Sequence, residues 1–429
     1  MVLWIKRIIL TIVALASLYG IGRLSVVTYD SYLFLERQPY LQMQTQNSIV
    51  IKWQSDASEI GCVIYGENQK VCEDEATSYH HITLTGLTPS TPYMYKVISP
   101  SMEIDNDGRY FTTLDNTQPD MQRIWVVGDS GKKGKKQQDV LNSILHVNQD
   151  RELDLWILLG DNAYRSGTQE QFNKALFKPY KEQLKTLVPW AVNGNHDARR
   201  WAFYNIFEFP EQGESGGAHS GSEEFYAIES GNVHIVMLDS HEGDTSKDGE
   251  MAQWLKKDLA QVTKPWIIAA FHHPPYSDGG HKSDNPRDSW GRMERMRENI
   301  VPILEEYGVD LVLAGHSHGY ERSKLMHKHY GDSKTFDASQ HLLSDDDHRY
   351  CKNPKRTAFD GAIYNVVGSS SKLDRNTYAH PAMPHSYESL GSLLLHVTPT
   401  TLRADFIDDK QTIKDYYIIN KSLTCNDEA

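Results

Sequence analysis

The sequence predicts an α/β body preceded by a small all-β sandwich, and three patterns carry that prediction. Five apolar runs stop abruptly at Asp, Asn, His or Tyr, with helical periodicity between them. Ahead of them, short alternating runs follow one another at the spacing of a sandwich. The length of 429 residues, with 39% hydrophobic and 24% charged residues, has room for two or three globular domains. A formal charge of -13 repels nucleic acid, so no nucleic-acid partner is expected and any anionic ligand must be drawn in locally. The chain contains no internal repeat and no low-complexity tract.

At the N-terminus, Lys6 and Arg7 precede an apolar run over residues 8–18, with Ala14-Leu15-Ala16 offering small residues to a signal peptidase. Residues 1–28 therefore read as a secretory signal, with an uncleaved N-terminal anchor as the alternative. Membrane association is expected only in the second case. Either way the body is extracytoplasmic, secreted or periplasmic, where four cysteines can oxidise. Of the three pairings, the proximal one is favoured, Cys62 with Cys72, leaving Cys351 with Cys425.

The first domain is expected over residues 29–117. Its strands are the runs 49–53, 62–65, 93–97 and 109–112, separated by turn residues. No cluster of acids, bases or metal-ligand types falls here, which makes it a structural or docking module. Residues 115–120, with Asn116 and Pro119, are the linker.

The second domain, residues 118–429, is organised by its strand ends. The run 124–128 delivers Asp129-Ser130-Gly131 and then Lys132, Lys133, Lys135 and Lys136, before a helix over 139–149. The run 155–159 ends in Gly160-Asp161-Asn162-Ala163-Tyr164, and the run 188–192 in Gly194-Asn195-His196-Asp197. A strand over 233–238 ends at Asp239, which reads as a turn only. The run 266–271 leads to His272-His273-Pro274-Pro275 and a polar loop containing His281. After a helix over 293–307, the run 309–313 delivers Gly315-His316-Ser317-His318. Residues i and i+2 on an extended backbone point the same way, so His316 and His318 can each reach one of two neighbouring metal ions. Strand ends carrying such groups describe an open α/β sheet with its site outside the carboxyl ends. Residues 324–355, poor in apolar side chains, form an excursion, and strands return at 362–367, 393–397 and 402–407.

Taken together, Asp129-Ser130-Gly131, Gly160-Asp161-x-x-Tyr164, Gly194-Asn195-His196-Asp197, His272 and Gly315-His316-x-His318 resemble the five motifs of the purple acid phosphatases, a family of binuclear metallophosphoesterases. The segments 319–323 and 361–365 are similar to flanking segments of that family. The passage 84–93, ending in Pro92-Tyr93, resembles the tyrosine-cornered segment of fibronectin type III domains, which family members carry ahead of the catalytic domain. The resemblance implies a four-layer metallophosphoesterase sandwich, β sheets flanked by helices, and an acid phosphatase acting on small phosphate monoesters.

The resemblance also implies the cofactors and their holders. Two metal ions are expected, an iron(III) on Asp129, Tyr164 and His318, and a divalent zinc, manganese or iron on Asn195, His272 and His316, with Asp161 bridging. Hard oxygen donors suit iron(III), and imidazole with an amide oxygen suits the divalent ion. His273, beside His272, is the alternative ligand. His196 is the expected catalytic acid or phosphoryl contact. His281 falls where larger members place a substrate-binding histidine, with Lys282 where some have a second. The four lysines after Asp129 are candidates for steering anionic substrate. His80, His81, His219, His327, His329, His341 and His348 belong to no motif. Two other readings compete with the monoesterase: a phosphodiesterase or nucleotide hydrolase on the same fold, and a secreted binding protein with structural metals. Tyr164 speaks for the monoesterase, and His196, unnecessary as a ligand, speaks against the binding protein.

Overall fold

Alternation of side chains builds the first sheets: along Thr77–Thr85, His80, Ile82 and Leu84 are buried and their neighbours face outward. The structure, a computed structural model, describes residues 11–20, 22, 35–149, 151–197, 200–375 and 377–422. Arg37–Gln42, Ser48–Glu59 and Thr77–Thr85 form a three-stranded antiparallel sheet. Gln69–Cys72, Cys62–Tyr65, Pro92–Ile98 and Tyr110–Thr112 form a four-stranded one. Ile51 and Trp53 of the first share a core with Val63, Tyr95, Val97 and Phe111 of the second. The hydroxyl of Tyr93 accepts the Thr88 backbone N–H at 2.9 Å and fixes the corner between strands.

A disulfide joins Cys62 to Cys72 across their hairpin, the pairing expected from their proximity. Cys351 is disulfide-bonded as well; Cys425 lies outside the described residues, as does most of the N-terminal signal or anchor segment. Residues 11–20 are helical and exposed. Among the described residues, no helix is long and apolar enough to cross a membrane.

The sandwich is fastened to the larger α/β body. Tyr40 donates its hydroxyl to the Ile206 carbonyl at 2.9 Å, Tyr95 to that of Lys185 at 3.0 Å, and Ser215 to that of Gln44 at 2.7 Å. The Tyr40 ring also meets Phe177 edge-on, with centroids 4.9 Å apart.

That body contains two seven-stranded sheets, where the strand ends alone describe one open sheet. One runs Pro189–Ala191, Leu155–Leu158, Gln122–Val127, Gly391–Val397, Thr401–Asp408, Ile413–Asn420, Arg349–Cys351. The other runs Tyr226–Ser230, Val233–Met237, Trp266–Phe271, Leu311–Ala314, Ile363–Val367, Tyr320–Arg322, His385–Tyr387. The first three strands of the first sheet are parallel, as are Val233–Met237, Trp266–Phe271, Leu311–Ala314 and Ile363–Val367 of the second. Both faces of these strands are buried, which is why they read as unbroken apolar runs.

Period-two packing explains the layers. Ile268, Ala270, Leu311 and Leu313 turn toward the first sheet's core, while Ile267, Ala269, Phe271 and Val312 pack on Met251, Leu255, Met296, Ile300 and Leu304 of the covering helices. On the far side, the helix Lys135–Asn148 buries Leu141 and Ile144. The result is helix, sheet, sheet, helix.

Some boundaries differ from the sequence reading. The helix expected over 139–149 begins at Lys135, because its first turn is wholly polar and leaves no apolar periodicity to read. Ile413–Asn420 adds a strand whose inward positions include Asp415, a charge that masks the alternation. The excursion 324–355 contains two short helical turns and the edge strand Arg349–Cys351, which pairs in parallel with Ile413–Asn420.

Candidate metal centre

Five strand ends, three from the first sheet and two from the second, meet where the sheets adjoin. Tight turns make the meeting possible. Asp129, Asp161 and His316 all take left-handed backbone conformations, with φ of 55°, 54° and 67°. Gly160, at φ 87°, lets the chain pass so close that a Cβ there would lie 2.6 Å from the His272 ring. A Cβ at Gly194 would lie 2.1 Å from the Asp161 backbone nitrogen.

The side chains converge in two groups. Tyr164 donates its hydroxyl to Asp129 Oδ1 at 2.9 Å and lies 3.2 Å from His318 Nε2, which is 3.3 Å from Asp129 Oδ1. His272 Nε2 lies 3.0 Å from Asn195 Oδ1, 3.2 Å from His316 Nδ1 and 3.5 Å from Asp161 Oδ1. Asp129, Asp161 and His272 bring ligand atoms within 4.8 Å of one another and so join the groups.

Each histidine has one ring nitrogen tied outward. His272 Nδ1 donates to the Leu159 carbonyl at 2.8 Å. His318 Nδ1 donates to Asp374. Ser289 gives its hydroxyl proton to Asp288 at 2.9 Å, which leaves its oxygen to accept from His316 Nε2 at 2.6 Å. The opposite nitrogens, His272 Nε2, His316 Nδ1 and His318 Nε2, therefore turn lone pairs toward carboxylate, amide and phenol oxygens. A knot of lone pairs with few protons between them fits a cation.

Electrostatics agree. Burial and the neighbouring histidines hold His316 well below the usual imidazole range, so it is neutral and free to ligate. Burial alone would lower His318 too, but its hydrogen bonds to Asp129 and Asp374 raise it to about 9, so Nε2 offers its lone pair only once a cation displaces the proton it shares with Asp129. Burial would raise Asp129, yet the hydrogen bond and charge of His318 hold its carboxyl below the ordinary range. Burial and the charges of Asp129 and Asp161 push the Tyr164 phenol far up, so a tyrosinate forms only with a cation beside it.

His273, the alternative to His272, is buried with Nδ1 2.9 Å from the Ser240 hydroxyl, and its ring lies 4.4 Å from that of His316. His272, His273 and His316 also place ligand atoms within 4.8 Å of one another, but only His272 faces Asn195 and Asp161. His196 stands at the mouth, its ring 4.5 Å from that of Tyr164, Nδ1 on the Arg165 carbonyl at 2.7 Å and Nε2 3.9 Å from Asp161 Oδ2. His281 stacks on His316 at 3.8 Å and holds Asp288 at 2.8 Å. Lys132, Lys133, Lys135 and Lys136 are exposed, and Lys135 is paired with Asp139 at 2.6 Å. Asp239 does serve its turn, accepting the backbone N–H groups of His241 and Glu242.

Four residues escaped the motifs' ligand and acid positions. Asp374, Ser289 and Lys372 arrive on loops, and Asp197 accepts the N–H groups of Asn162, Ala163 and Gly194 beneath the site. Only Asp197, beside Asn195 and His196 in the chain, left a signal in the sequence.

Residues 122–320 match the family model described as calcineurin-like phosphoesterase. The fold is that of a calcineurin-like metallophosphoesterase. The chain is 31% identical over 284 residues to purple acid phosphatase 15 of Arabidopsis thaliana, and 27% identical over 281 residues to purple acid phosphatase 23 of the same plant. Each alignment takes in 58% of this chain, and 50% and 58% of the two relatives' lengths. The fold superimposes on a purple acid phosphatase from yellow lupin (Lupinus luteus) seeds with a TM-score of 0.71 at 18% identity, covering 89% of this chain and 74% of that one. The resemblance read from the five motifs thus extends to the four-layer architecture.

Proposed function

We propose that this protein is an acid phosphatase that hydrolyses phosphate monoesters at a binuclear metal centre. The outward tethering of His272, His316 and His318, which aims three lone pairs at Asp129, Asp161, Tyr164 and Asn195, carries the reading. Asp129, Tyr164 and His318 would hold iron(III), Asn195, His272 and His316 a divalent zinc, manganese or iron, and Asp161 both. The pair would supply charge for the phosphoryl oxygens and a water of lowered pKa. Water adds to phosphorus as the P–O bond to the leaving group breaks, giving an alcohol and inorganic phosphate. His196, fixed by the Arg165 carbonyl and one-third exposed at the mouth, delivers a proton to the departing oxygen. His281 borders the same opening. The sandwich over residues 29–117, with its tyrosine corner and docked face, is fibronectin type III-like and braces the catalytic body of residues 118–429. The disulfides and the N-terminal segment, as signal or anchor, support an extracytoplasmic location.

Turnover of 4-nitrophenyl phosphate against its bis-aryl diester tests the reading. A monoester preference is expected; diester preference would make the protein a phosphodiesterase, and no turnover with metals bound would make the metals structural. Iron is tested by colour, since Tyr164→Phe should bleach a tyrosinate-to-iron band. A colourless, iron-free, active protein would refute the iron assignment alone.

A further inference from the structure

We propose that Lys372 binds the phosphoryl group, its ammonium holding one non-bridging oxygen on the flank formed by Tyr164 and His318. The inference rests on the phosphatase reading of the site. Lys372 Nζ lies 3.3 Å from His318 Nε2, the inward nitrogen of that ring, and 4.8 Å from the centre of the Tyr164 ring. Among the described residues the ammonium has no carboxylate ion pair. Asp374, two residues on, spends its carboxylate on His318 Nδ1. Once the His318 lone pair is taken by a cation, the lysine keeps three donors beside the site and needs an anion to satisfy them.

The backbone holds Lys372 there. The Ser370 N–H donates to the Gly128 carbonyl at 3.1 Å, and the Ser371 hydroxyl donates to the Asp129 carbonyl and accepts the Lys132 N–H at 3.0 Å. On the other side the Asp374 N–H donates to the His318 carbonyl at 3.0 Å. The strap is thus sewn to both turns that bring Asp129 and His318, and Lys372 sits between the stitches.

Its setting also distinguishes it from the four lysines after Asp129. Those are exposed, and one is already paired. Lys372 is half-buried, where a charge acts through less water. With His196 beside Tyr164 and His281 stacked on His316, it completes a ring of three donors around the mouth. A phosphoryl group presents three oxygens, and in a chain of net charge -13 such a ring is where an anion is held.

The test compares wild type, Lys372→Ala and Lys372→Arg, all metal-loaded, by metal analysis, calorimetric titration with inorganic phosphate, and kinetics on 4-nitrophenyl phosphate. Lys372→Ala should keep both metals and bind phosphate about 10- to 100-fold more weakly, the scale of one charge-assisted hydrogen bond. KM should rise with it, and Lys372→Arg should recover most of the affinity. Phosphate affinity within about twofold of wild type, or loss of metal from Lys372→Ala, would overturn the proposal, the latter by making the lysine a brace for His318. A wild type that binds phosphate without hydrolysing esters would defeat the phosphatase reading while the titration still judged Lys372. A wild type that binds no phosphate would defeat both.

Discussion

The two sheets bring different chemistry to the seam between them. Gln122–Val127, Leu155–Leu158 and Pro189–Ala191 of the first end in oxygen donors, Asp129, Asp161, Tyr164 and Asn195. Trp266–Phe271 and Leu311–Ala314 of the second end in imidazoles, His272, His316 and His318. Neither sheet alone offers a complete set for a metal ion. Hydrogen bonds across the seam knit the sets together, such as the His316 N–H to Asp129 Oδ2 at 2.7 Å and His272 Nδ1 to the Leu159 carbonyl. The division teaches that the site reports on the packing of the two sheets as much as on its own side chains.

Removing one donor from each side tests the division most severely. Asp161→Ala should lose both metals, since this carboxylate faces both groups, and activity should fall beyond the ~10²- to 10⁴-fold that a general acid contributes. His272→Ala should lose one metal, whereas His273→Ala should keep both; metal analysis of the purified variants decides, and the reverse result would exchange their roles. His196→Ala should come next, retaining both metals while turnover of alkyl phosphates falls ~10²- to 10⁴-fold and that of aryl phosphates less, because their leaving groups need less protonation. Metal depletion in that variant would refute its catalytic role. Asp374→Asn weakens only the outward tether of His318, and should cost ~10- to 100-fold in affinity for one metal, read by competition with a chelator.

A test of folding stability sharpens the comparison from the second sheet's outer face. His234, buried on Val233–Met237, bridges Glu229 at 2.9 Å and Asp258 at 2.7 Å. Burial works to lower its pKa, but the two carboxylates prevail and raise it. Its contribution is therefore fully present below the unfolded value of ~6.5 and is lost as pH rises through the higher folded value. Urea unfolding should find His234→Gln less stable by ~3 kcal/mol at pH 6, with the gap narrowing at alkaline pH. A gap that widened with pH would show that His234 is buried neutral.

The residue types at the strand ends and their order were legible because each follows a buried run, and all but His272 a glycine that a tight turn requires, as at Gly160-Asp161 and Gly194-Asn195. The split into two sheets was not, since an apolar run such as Leu311–Ala314 looks the same whichever sheet it joins. Asp374, Ser289 and Lys372 were invisible for another reason. They stand on loops among ordinary polar residues, and only the path of the chain brings them to His318 and His316. The Cys62–Cys72 hairpin and the Tyr93 corner were legible because both are local.

The left-handed turns at Asp129, Asp161 and His316 have a consequence for metal exchange. A side chain other than glycine tolerates such a turn only when its surroundings insist, at ~1–3 kcal/mol each. Here the insistence comes from buried strands and from hydrogen bonds such as the Asp129 N–H to the Gly160 carbonyl at 3.1 Å. Folding has thus already met the cost of shaping the socket. If the centre holds a divalent ion as proposed, one ion replacing another would meet turns that the strands already hold, and exchange would ask no new turn of the backbone.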